Sequence, residues 1–270
     1  MSVVCAFLLP GSPLPYVQRD NPPWGALASA MQKAGSALAS VKPDTIVVYS
    51  TQWIAVLDQL WLNRPQVSGV HVDENWHEYG DLPFNLRIDT ELTNAIVAVT
   101  HEVDIRSKGV DYDAFPVDTG TIVAANFLDS QGDCAMAVTS NNVYHNWDMT
   151  YQLGRLASAQ ADKLGRRIAV VGVGGLSGSA FRHTIEIADD HIANDIDDDW
   201  NKRILALMEA GAADEVVQLA PQYAAEAKVD MGFKHCAFVF GALGGQFSSA
   251  TVHGYGPLYG AGGAVVEFSV

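Results

Sequence analysis

The chain has 270 residues, of which 49% are apolar and 17% are charged, and its formal net charge at pH 7 is −15. This composition is typical of a globular protein with a large core and excludes a disordered chain. The negative charge disfavours binding to nucleic acid or to an anionic membrane surface, because both need clustered Lys and Arg.

The first predicted element is a buried strand over Val3–Leu9, where seven apolar residues follow each other. No cationic segment precedes it, and the apolar stretch is too short for a signal peptide or a membrane span, so we expect a cytoplasmic protein. The three cysteines, Cys5, Cys134 and Cys236, are scattered and odd in number. This pattern indicates reduced thiols rather than a disulfide framework or a zinc site.

Strand and helix patterns alternate along the rest of the chain. Apolar residues with helical spacing predict helices near residues 24–40, 90–102, 153–164 and 200–208, and a mostly helical stretch over 212–242. Apolar runs between turn residues predict strands at 45–50, 135–139, 168–173 and 262–270. This alternation predicts a single α/β domain over residues 1–270, with a central mixed β-sheet flanked by helices.

Two local patterns have both a structural and a functional interpretation. The acidic run at 195–199 complements a helix dipole and is interpreted as a first helical turn, with a metal-binding cluster as the alternative. Gly172, Gly174 and Ser177 follow a strand with a loose version of dinucleotide-loop spacing. A true dinucleotide loop would belong to a βαβ unit that opens the fold, whereas this run lies late in the chain.

Ligands of α/β folds bind at the carboxyl ends of the strands, so the turns after the strands are the segments to inspect. Taken in order, these segments resemble the class III extradiol ring-cleavage dioxygenases over nearly the whole chain. Within that family the closest likeness is to enzymes for 2-aminophenol-type rings, which pair two homologous subunits and keep a complete site only on the β subunit. The segments are LLPGSPLP (8–15), VVYSTQWI (47–54), FPVDTGTIVAANFL (115–128), GGLSGSAF (174–181) and GYGPLYGAGGAVVEFSV (254–270).

The resemblance implies a non-haem Fe(II) site built from two histidines and one carboxylate. The first ligand position falls on Gly11, or on Ser12 with a shift of one residue, and the second falls on Gln52. The carboxylate position matches Glu267, and the histidine that would act as general acid/base falls on Gly178. Glycine cannot coordinate a metal and a neutral amide is a poor ligand, so we expect neither a metal site nor a catalytic residue on this chain. No histidine lies within ten residues of Gly11 or Gln52, so a shift of register could not restore the site.

Other positions remain open at this stage. The resemblance places Thr119 where the family has an aromatic or imidazole contact, and His145 and Ser179 are candidates for lining the old pocket. Glu267 has a structural alternative, as a paired carboxylate in an apolar strand. A relocated metal site is a further alternative, with two candidate groups: His71, Asp73, His77 and Glu78 in one polar loop, and the pair His183 and Glu186 at helical spacing.

We therefore predict a non-catalytic α subunit that supports a homologous β subunit in an α2β2 assembly, with Fe(II) in the β subunit and no cofactor on this chain. The aromatic-rich segments 53–61 and 76–84 are the expected contact regions. The alternative is a stand-alone enzyme or binding protein for a phenolic or nucleotide ligand. That function would require Gln52, His145, Ser179 and Glu267 to face one cavity.

Overall fold

The computed structural model describes residues 2–270, which form ten strands and eight α-helices. The strands are β1 (Val3–Leu9), β2 (Thr45–Ala55), β3 (Gln59–Leu62), β4 (Gln66–His71), β5 (Leu82–Arg87), β6 (Ser107–Val110), β7 (Ala135–Asn142), β8 (Ile168–Val173), β9 (Ala250–Leu258) and β10 (Ala261–Phe268). The helices are α1 (Leu14–Val17), α2 (Trp24–Val41), α3 (Thr90–Thr100), α4 (Thr119–Leu128), α5 (Trp147–Lys163), α6 (Asp195–Glu209), α7 (Ala213–Glu226) and α8 (Lys234–Ala242).

Eight strands form one mixed sheet in the order β6-β3-β7-β2-β8-β1-β10-β9. The four central strands β7, β2, β8 and β1 run parallel to one another. β3 runs antiparallel to β7, and β10 runs antiparallel to both of its neighbours, β1 and β9. Separate apolar cores lie on the two faces, one under α2 and α4 and the other under α3, α5, α6, α7 and α8. The predicted α/β fold with a mixed sheet flanked by helices is confirmed.

The strands that are buried on both faces were predicted most accurately, and β1 and β8 have the predicted bounds. The strand predicted over 45–50 continues to Ala55, because Ile54 and Ala55 still pair with β7 after an irregularity. The elements that were missed have weak patterns. The β4–β5 hairpin is largely exposed, and α4 is buried almost all round, so neither shows the periodicity of a half-buried element.

The acidic run at 195–199 opens α6, as predicted. The Asn194 side chain caps this helix by accepting a hydrogen bond from the Asp197 N–H, at 2.9 Å. In the part of the chain that the structure describes, no helix is both long enough and apolar enough to cross a bilayer.

The dinucleotide-loop alternative at 172–177 is wrong. A dinucleotide loop must lead directly into a helix whose N-terminus faces the phosphates, but β8 is followed by irregular chain up to a short helical turn at Ile187–Asp189. His183 and Glu186 lie in the same irregular stretch, so their spacing of three does not place them on one helix face.

The Asp89 side chain connects the start of α3, the start of β2 and the turn between α5 and β8. Its carboxylate accepts hydrogen bonds from the Leu92 N–H at 3.0 Å, which caps α3, from the Thr45 hydroxyl at 2.7 Å and from Arg166 Nε at 3.0 Å. Burial by itself raises the pKa of Asp89, but these three hydrogen bonds and the charge of Arg166 outweigh it and lower the pKa.

Replacing Asp89 by Asn should lower the free energy of unfolding at pH 7 by about 2 kcal/mol, because the charged hydrogen bond and ion pair with Arg166 are lost while Asn can still cap α3. Because the folded-state pKa is lowered, the stabilisation is complete above the unfolded pKa of about 3.9 and is lost as the pH falls through the folded value. Urea unfolding at neutral and strongly acidic pH should show the difference between wild type and Asp89→Asn shrinking on acidification. The control is the exposed Asp104→Asn, also an acid-to-amide change, which removes no side-chain hydrogen bond or ion pair within residues 2–270 and should change the free energy of unfolding by less than about 0.5 kcal/mol.

Candidate functional site

A pocket of about 450 Å³ lies at the edge of the sheet where the parallel strands β1, β2 and β8 end. This edge is the usual ligand position of α/β folds. Three of the predicted positions, Gly11, Gln52 and Gly178, line this one pocket. The remaining lining residues are Pro10, Ser12, Gly175, Ser177, Lys228, Val229, Asp230, Met231, Leu258, Ala261 and Gly262.

Gly11 and Gln52 are in direct contact. The Gln52 Nε2 donates a hydrogen bond to the Gly11 carbonyl at 3.0 Å. A Cβ atom on Gly11 would lie 2.9 Å from that nitrogen and 3.2 Å from a methyl group of Val173. The Gln52 amide therefore fills part of the space that a side chain at position 11 would need.

Gly178 also lines this pocket, at a point where the backbone leaves no room for a side chain. Its N–H donates to the Ala227 carbonyl at 3.0 Å, and a Cβ atom would overlap the Lys228 carbonyl oxygen. A histidine at this position would require the 227–228 backbone to move. That Gly11, Gln52 and Gly178 are former positions of metal ligands and of a general acid/base stays a prediction.

Glu267 does not belong to this pocket, which corrects the sequence-based assignment. β10 runs antiparallel to β1, and Glu267 pairs with Phe7 in the middle of β1. The pocket residue on the same strand is Gly262, five residues earlier, which corresponds to roughly 17 Å along an extended strand. The Glu267 carboxylate is paired with His253, at 2.7 Å between Oε2 and Nε2. The structural alternative, a paired carboxylate, describes this residue.

Thr119 is the first residue of α4, and two side chains from the β4–β5 region contact it. His71 Nε2 lies 2.7 Å from the Thr119 hydroxyl, which also donates to Asp73 at 3.2 Å. His77 is turned away, with its Nδ1 3.3 Å from the Glu74 carbonyl and 3.5 Å from the Glu78 carboxylate. The four polar residues of this loop therefore do not converge on one point.

His145 and Ser179 do not line the pocket. His145 lies in the turn after β7, where burial and the nearby charge of Lys234 lower the pKa of its imidazole. The set of four polar residues that a stand-alone binding function required is therefore not assembled. Of that set, only Gln52 faces this cavity.

The sequence reasoning missed the pocket's carboxylate, which is Asp230. Its Oδ2 accepts hydrogen bonds from the Thr51 hydroxyl at 2.5 Å and from the Gly175 N–H at 3.0 Å. Asp230 lies between α7 and α8, within a stretch predicted to be mostly helical. The positive φ angles of Lys228 (50°) and Met231 (45°) interrupt that helix, and no residue pattern signals them.

His235 lies next to this carboxylate but inside the core. Its ring is fully buried, and neither ring nitrogen has a hydrogen-bond partner in residues 2–270. Burial lowers the pKa of His235 to about 4, partly opposed by the charge of Asp230, so the ring is neutral at pH 7.

The donor set of the pocket does not fit a non-haem Fe(II) centre. Such a centre needs two imidazoles and a carboxylate on one face of the metal. The pocket offers Asp230, whose Oδ2 already accepts two hydrogen bonds, and the neutral amide of Gln52, and no histidine lines it. Across residues 2–270 no three His, Cys, Asp or Glu side chains are grouped so that they could hold a metal ion.

Comparison with known proteins gives consistent matches over the whole length. The family model described as "Catalytic LigB subunit of aromatic ring-opening dioxygenase" matches residues 6–268. The 2-aminophenol 1,6-dioxygenase alpha subunit of Pseudomonas sp. is 48% identical over 271 residues, with all of both chains covered. The beta subunit of 2-aminophenol 1,6-dioxygenase from Pseudomonas sp. is 26% identical over 290 residues, covering 99% of this chain and 94% of that protein.

A solved structure shares the fold. The crystal structure of an uncharacterized protein from Escherichia coli K12 superposes with a TM-score of 0.67 and 16% sequence identity, and the match covers 97% of this chain and 98% of that one.

Proposed function

Because the chain belongs to the LigB family of aromatic ring-opening dioxygenases, we propose that it is the non-catalytic α subunit of a heteromeric enzyme that opens 2-aminophenol-type rings. Its role is to support and stabilise a homologous catalytic β subunit in aromatic catabolism. The Fe(II) centre and the reaction with O2 belong to that β subunit. Each pair of subunits then has one active site, and the whole is an α2β2 assembly.

The observation that carries this proposal is the contact between Gly11 and Gln52 in the pocket. The fold keeps the pocket at the edge where this family of α/β proteins would bind a ligand, but the amide of Gln52 is bonded to the Gly11 backbone there. A metal would find one carboxylate and no imidazole. A chain of this kind can keep the shape of a catalytic relative while its chemistry depends on a partner.

The relatives support the partner assignment. The family match and the two Pseudomonas relatives indicate that an alpha and a beta chain of related sequence exist for 2-aminophenol 1,6-dioxygenase. This chain matches the alpha chain at 48% identity and the beta chain at 26%. We assign it the alpha role on that difference and on the donor set of its own pocket.

An exposed apolar patch offers a surface for the β subunit. Five of the twelve large apolar side chains exposed in the described residues lie together at the β2–β3 turn and the adjacent β7–α5 turn. Leu57 and Tyr144 are the most exposed of them, at 74% and 77%. The β2–β3 turn and the β7–α5 turn hold the patch in place, since the Val143 N–H donates to the Ala55 carbonyl at 3.0 Å. The members of this β2–β3 patch are Ile54, Val56, Leu57, Val143 and Tyr144. Because this chain carries a net charge of −15, an uncharged patch is a surface that a second chain can contact without meeting those negative charges.

The patch refines the two contact regions expected from the sequence. In segment 53–61 the exposed residues are Ile54, Val56 and Leu57. Trp61 is fully buried, and Trp53 packs against Phe115 with ring centroids 5.1 Å apart. In segment 76–84, Trp76 stacks on Tyr79 and packs edge-on against Tyr259. Segment 76–84 therefore uses its aromatic rings within the chain, and the β2–β3 patch is the better contact region.

The proposal is tested by expressing the chain alone, the β subunit alone and the two together. The lone chain should carry only traces of iron and show no oxygen uptake with 2-aminophenol. The co-purified complex should contain about one iron per αβ pair, as expected for one complete two-histidine, one-carboxylate site. Its mass by light scattering should correspond to two copies of each chain.

The outcome for the lone chain decides the question. Stoichiometric iron on the lone chain, together with ring-opening turnover, would contradict the non-catalytic assignment. A complex that forms but gains neither stability nor activity over β alone would contradict the supporting role. The control is the lone chain reconstituted with Fe(II) under anaerobic conditions, so that loss of iron during purification is not mistaken for an inability to bind it.

A further inference from the structure

The pocket at the ends of β1, β2 and β8 holds one carboxylate and one ammonium group that have no ionic partner. Asp230 lines the pocket, and no basic group forms an ion pair with it within residues 2–270. Lys228 lies two residues away on the same segment, lines the same pocket, and its ammonium group makes no hydrogen bond or ion pair in that part of the chain.

The Asp230 carboxylate is held in a fixed position. Both of its hydrogen bonds, from the Thr51 hydroxyl and the Gly175 N–H, fall on Oδ2. The charge of the buried Lys234 ammonium group acts on Asp230, but this group forms no ion pair with it and donates to the Asn142 carbonyl at 2.7 Å. Burial keeps the His235 ring neutral. The fixed carboxylate is therefore a ready acceptor for an N–H group of a ligand.

The segment that presents these two charges has an unusual backbone. Lys228 and Met231 have positive φ angles of 50° and 45°, and Gly232 and Phe233 follow at 69° and 65°. Such a conformation is unfavourable for residues with a side chain and is maintained only where the surroundings fix it, most often at binding sites. Here it turns Lys228, Asp230 and Met231 to the same pocket.

The walls suit a flat ligand. Backbone of Gly11, Gly175, Gly178 and Gly262 forms much of the lining, and Pro10, Met231 and Leu258 supply apolar surface. The volume of about 450 Å³ lies in the range of small-molecule sites. No side chain projects from these four glycine positions, so backbone borders the pocket there.

We propose that this pocket is a metal-free binding site for a small planar molecule that carries an amine next to a carboxylate. The amine donates to Asp230, the carboxylate pairs with Lys228, and the ring lies between the glycine-lined wall and Met231. The remaining polar groups, Gln52, Ser12 and Ser177, are secondary contacts for ring substituents.

The reaction assigned under the proposed function gives a product that carries these two groups, and this one step rests on that proposed function. Opening a 2-aminophenol ring between the hydroxyl-bearing carbon and its unsubstituted neighbour adds both atoms of O2. The hydroxyl-bearing carbon becomes a carboxylate and the neighbour becomes an aldehyde, while the amine stays on the carbon next to the new carboxylate. The product has no ring, but its conjugated chain is planar and carries the amine next to the carboxylate, so it presents the same two groups to Asp230 and Lys228 on the non-catalytic subunit.

The test is isothermal titration of the full chain alone, in buffer containing a chelator, with 2-aminobenzoate as a stable probe of the class. A ligand of this size whose carboxylate pairs with Lys228 and whose neutral amine donates a hydrogen bond to Asp230 should bind with a dissociation constant on the order of 0.1–1 mM. Benzoate, which lacks the amine, and aniline, which lacks the carboxylate, should each bind about tenfold more weakly or less.

Two substitutions localise the binding. Asp230→Asn and Lys228→Asn should each weaken 2-aminobenzoate binding at least about tenfold. Asn tolerates a positive φ angle, so Lys228→Asn keeps the backbone and remains informative if loss of the Asp230 bonds impairs folding. The matched control is Lys42→Asn, since Lys42 is also exposed and also has a positive φ angle, of 46°, but lies before β2, at the opposite end of that strand from the pocket.

The absence of saturable binding up to about 10 mM would overturn the proposal, as would binding that Lys228→Asn leaves unchanged. Equal binding of benzoate and 2-aminobenzoate would also overturn it, because the amine would then have no role. These results are independent of the proposed subunit role, because that role is tested by iron and oxygen uptake in the complex with β.

Discussion

A chain carrying Leu57→Glu and Tyr144→Glu should fold normally but no longer form a stable complex with the catalytic β subunit. Both side chains project from the β2–β3 patch into solvent, so replacing them removes no core contact. In an interface, however, each substitution would bury a carboxylate without a partner. A carboxylate buried without a partner costs about 2 kcal/mol or more, so the double variant should bind more weakly by at least about a hundredfold.

The measurement is co-purification followed by titration of tagged β subunit, with ring-opening activity and iron content read in parallel. Val217→Glu is the matched control. Val217 is an exposed apolar residue on α7, outside the patch, and it receives the same charge. Assembly that survives the double substitution but not Val217→Glu would move the interface from the β2–β3 patch to the α7 face.

Gly154→Ala should destabilise the fold by about 3 kcal/mol, although it adds a single methyl group. Gly154 lies where α5 crosses α8, and a Cβ atom there would overlap the carbonyl oxygen of Phe238. Gly241 on α8 meets the Tyr151 carbonyl of α5 in the same way. The two helices touch backbone to backbone, so a methyl group must force them apart. That movement would disturb the stacking of Phe238 on Tyr49, whose ring centroids are 5.2 Å apart.

The check is urea unfolding of Gly154→Ala beside Gly256→Ala, which makes the same chemical change elsewhere. A Cβ atom on Gly256 would find its nearest neighbour, Leu27, at an ordinary 3.9 Å. Gly256→Ala should therefore change the free energy of unfolding by less than about 1 kcal/mol in either direction. Equal stabilities of the two variants would show that α5 and α8 do not approach each other so closely.

The accuracy of the sequence-based predictions follows the strength of each local signal. β1 and β8 were predicted to the residue because both are apolar runs between turn residues. The short or exposed strands β3 to β6 and the fully buried helix α4 have no such contrast between two faces, and they were missed. The start of α6 was found because its acidic first turn is a chemical signal independent of periodicity.

The residues of the candidate site likewise differ in whether a local signal in the sequence predicts their position. That Gly11 and Gln52 would lie near each other was predictable, because Gly11 follows β1, Gln52 lies near the carboxyl end of the parallel strand β2, and such strand ends share one edge of a sheet. Asp230 was not predictable, because its place depends on positive φ angles at Lys228 and Met231 that interrupt a helical pattern. The absence of histidines near Gly11 and Gln52 can be established from the sequence alone.

The sequence by itself thus determined the α/β class, the family and the absence of histidines from two strand ends, because these depend on residue identity and local order. Only the tertiary structure decided which carboxylate belongs to the pocket. Glu267 and Asp230 are both acids near the C-terminus, and the sequence favoured the one in the last strand. That strand runs antiparallel to β1, so its beginning rather than its end lies at the pocket, and Glu267 is carried away to pair with His253. Strand direction is set by pairing between distant segments, which no local pattern records.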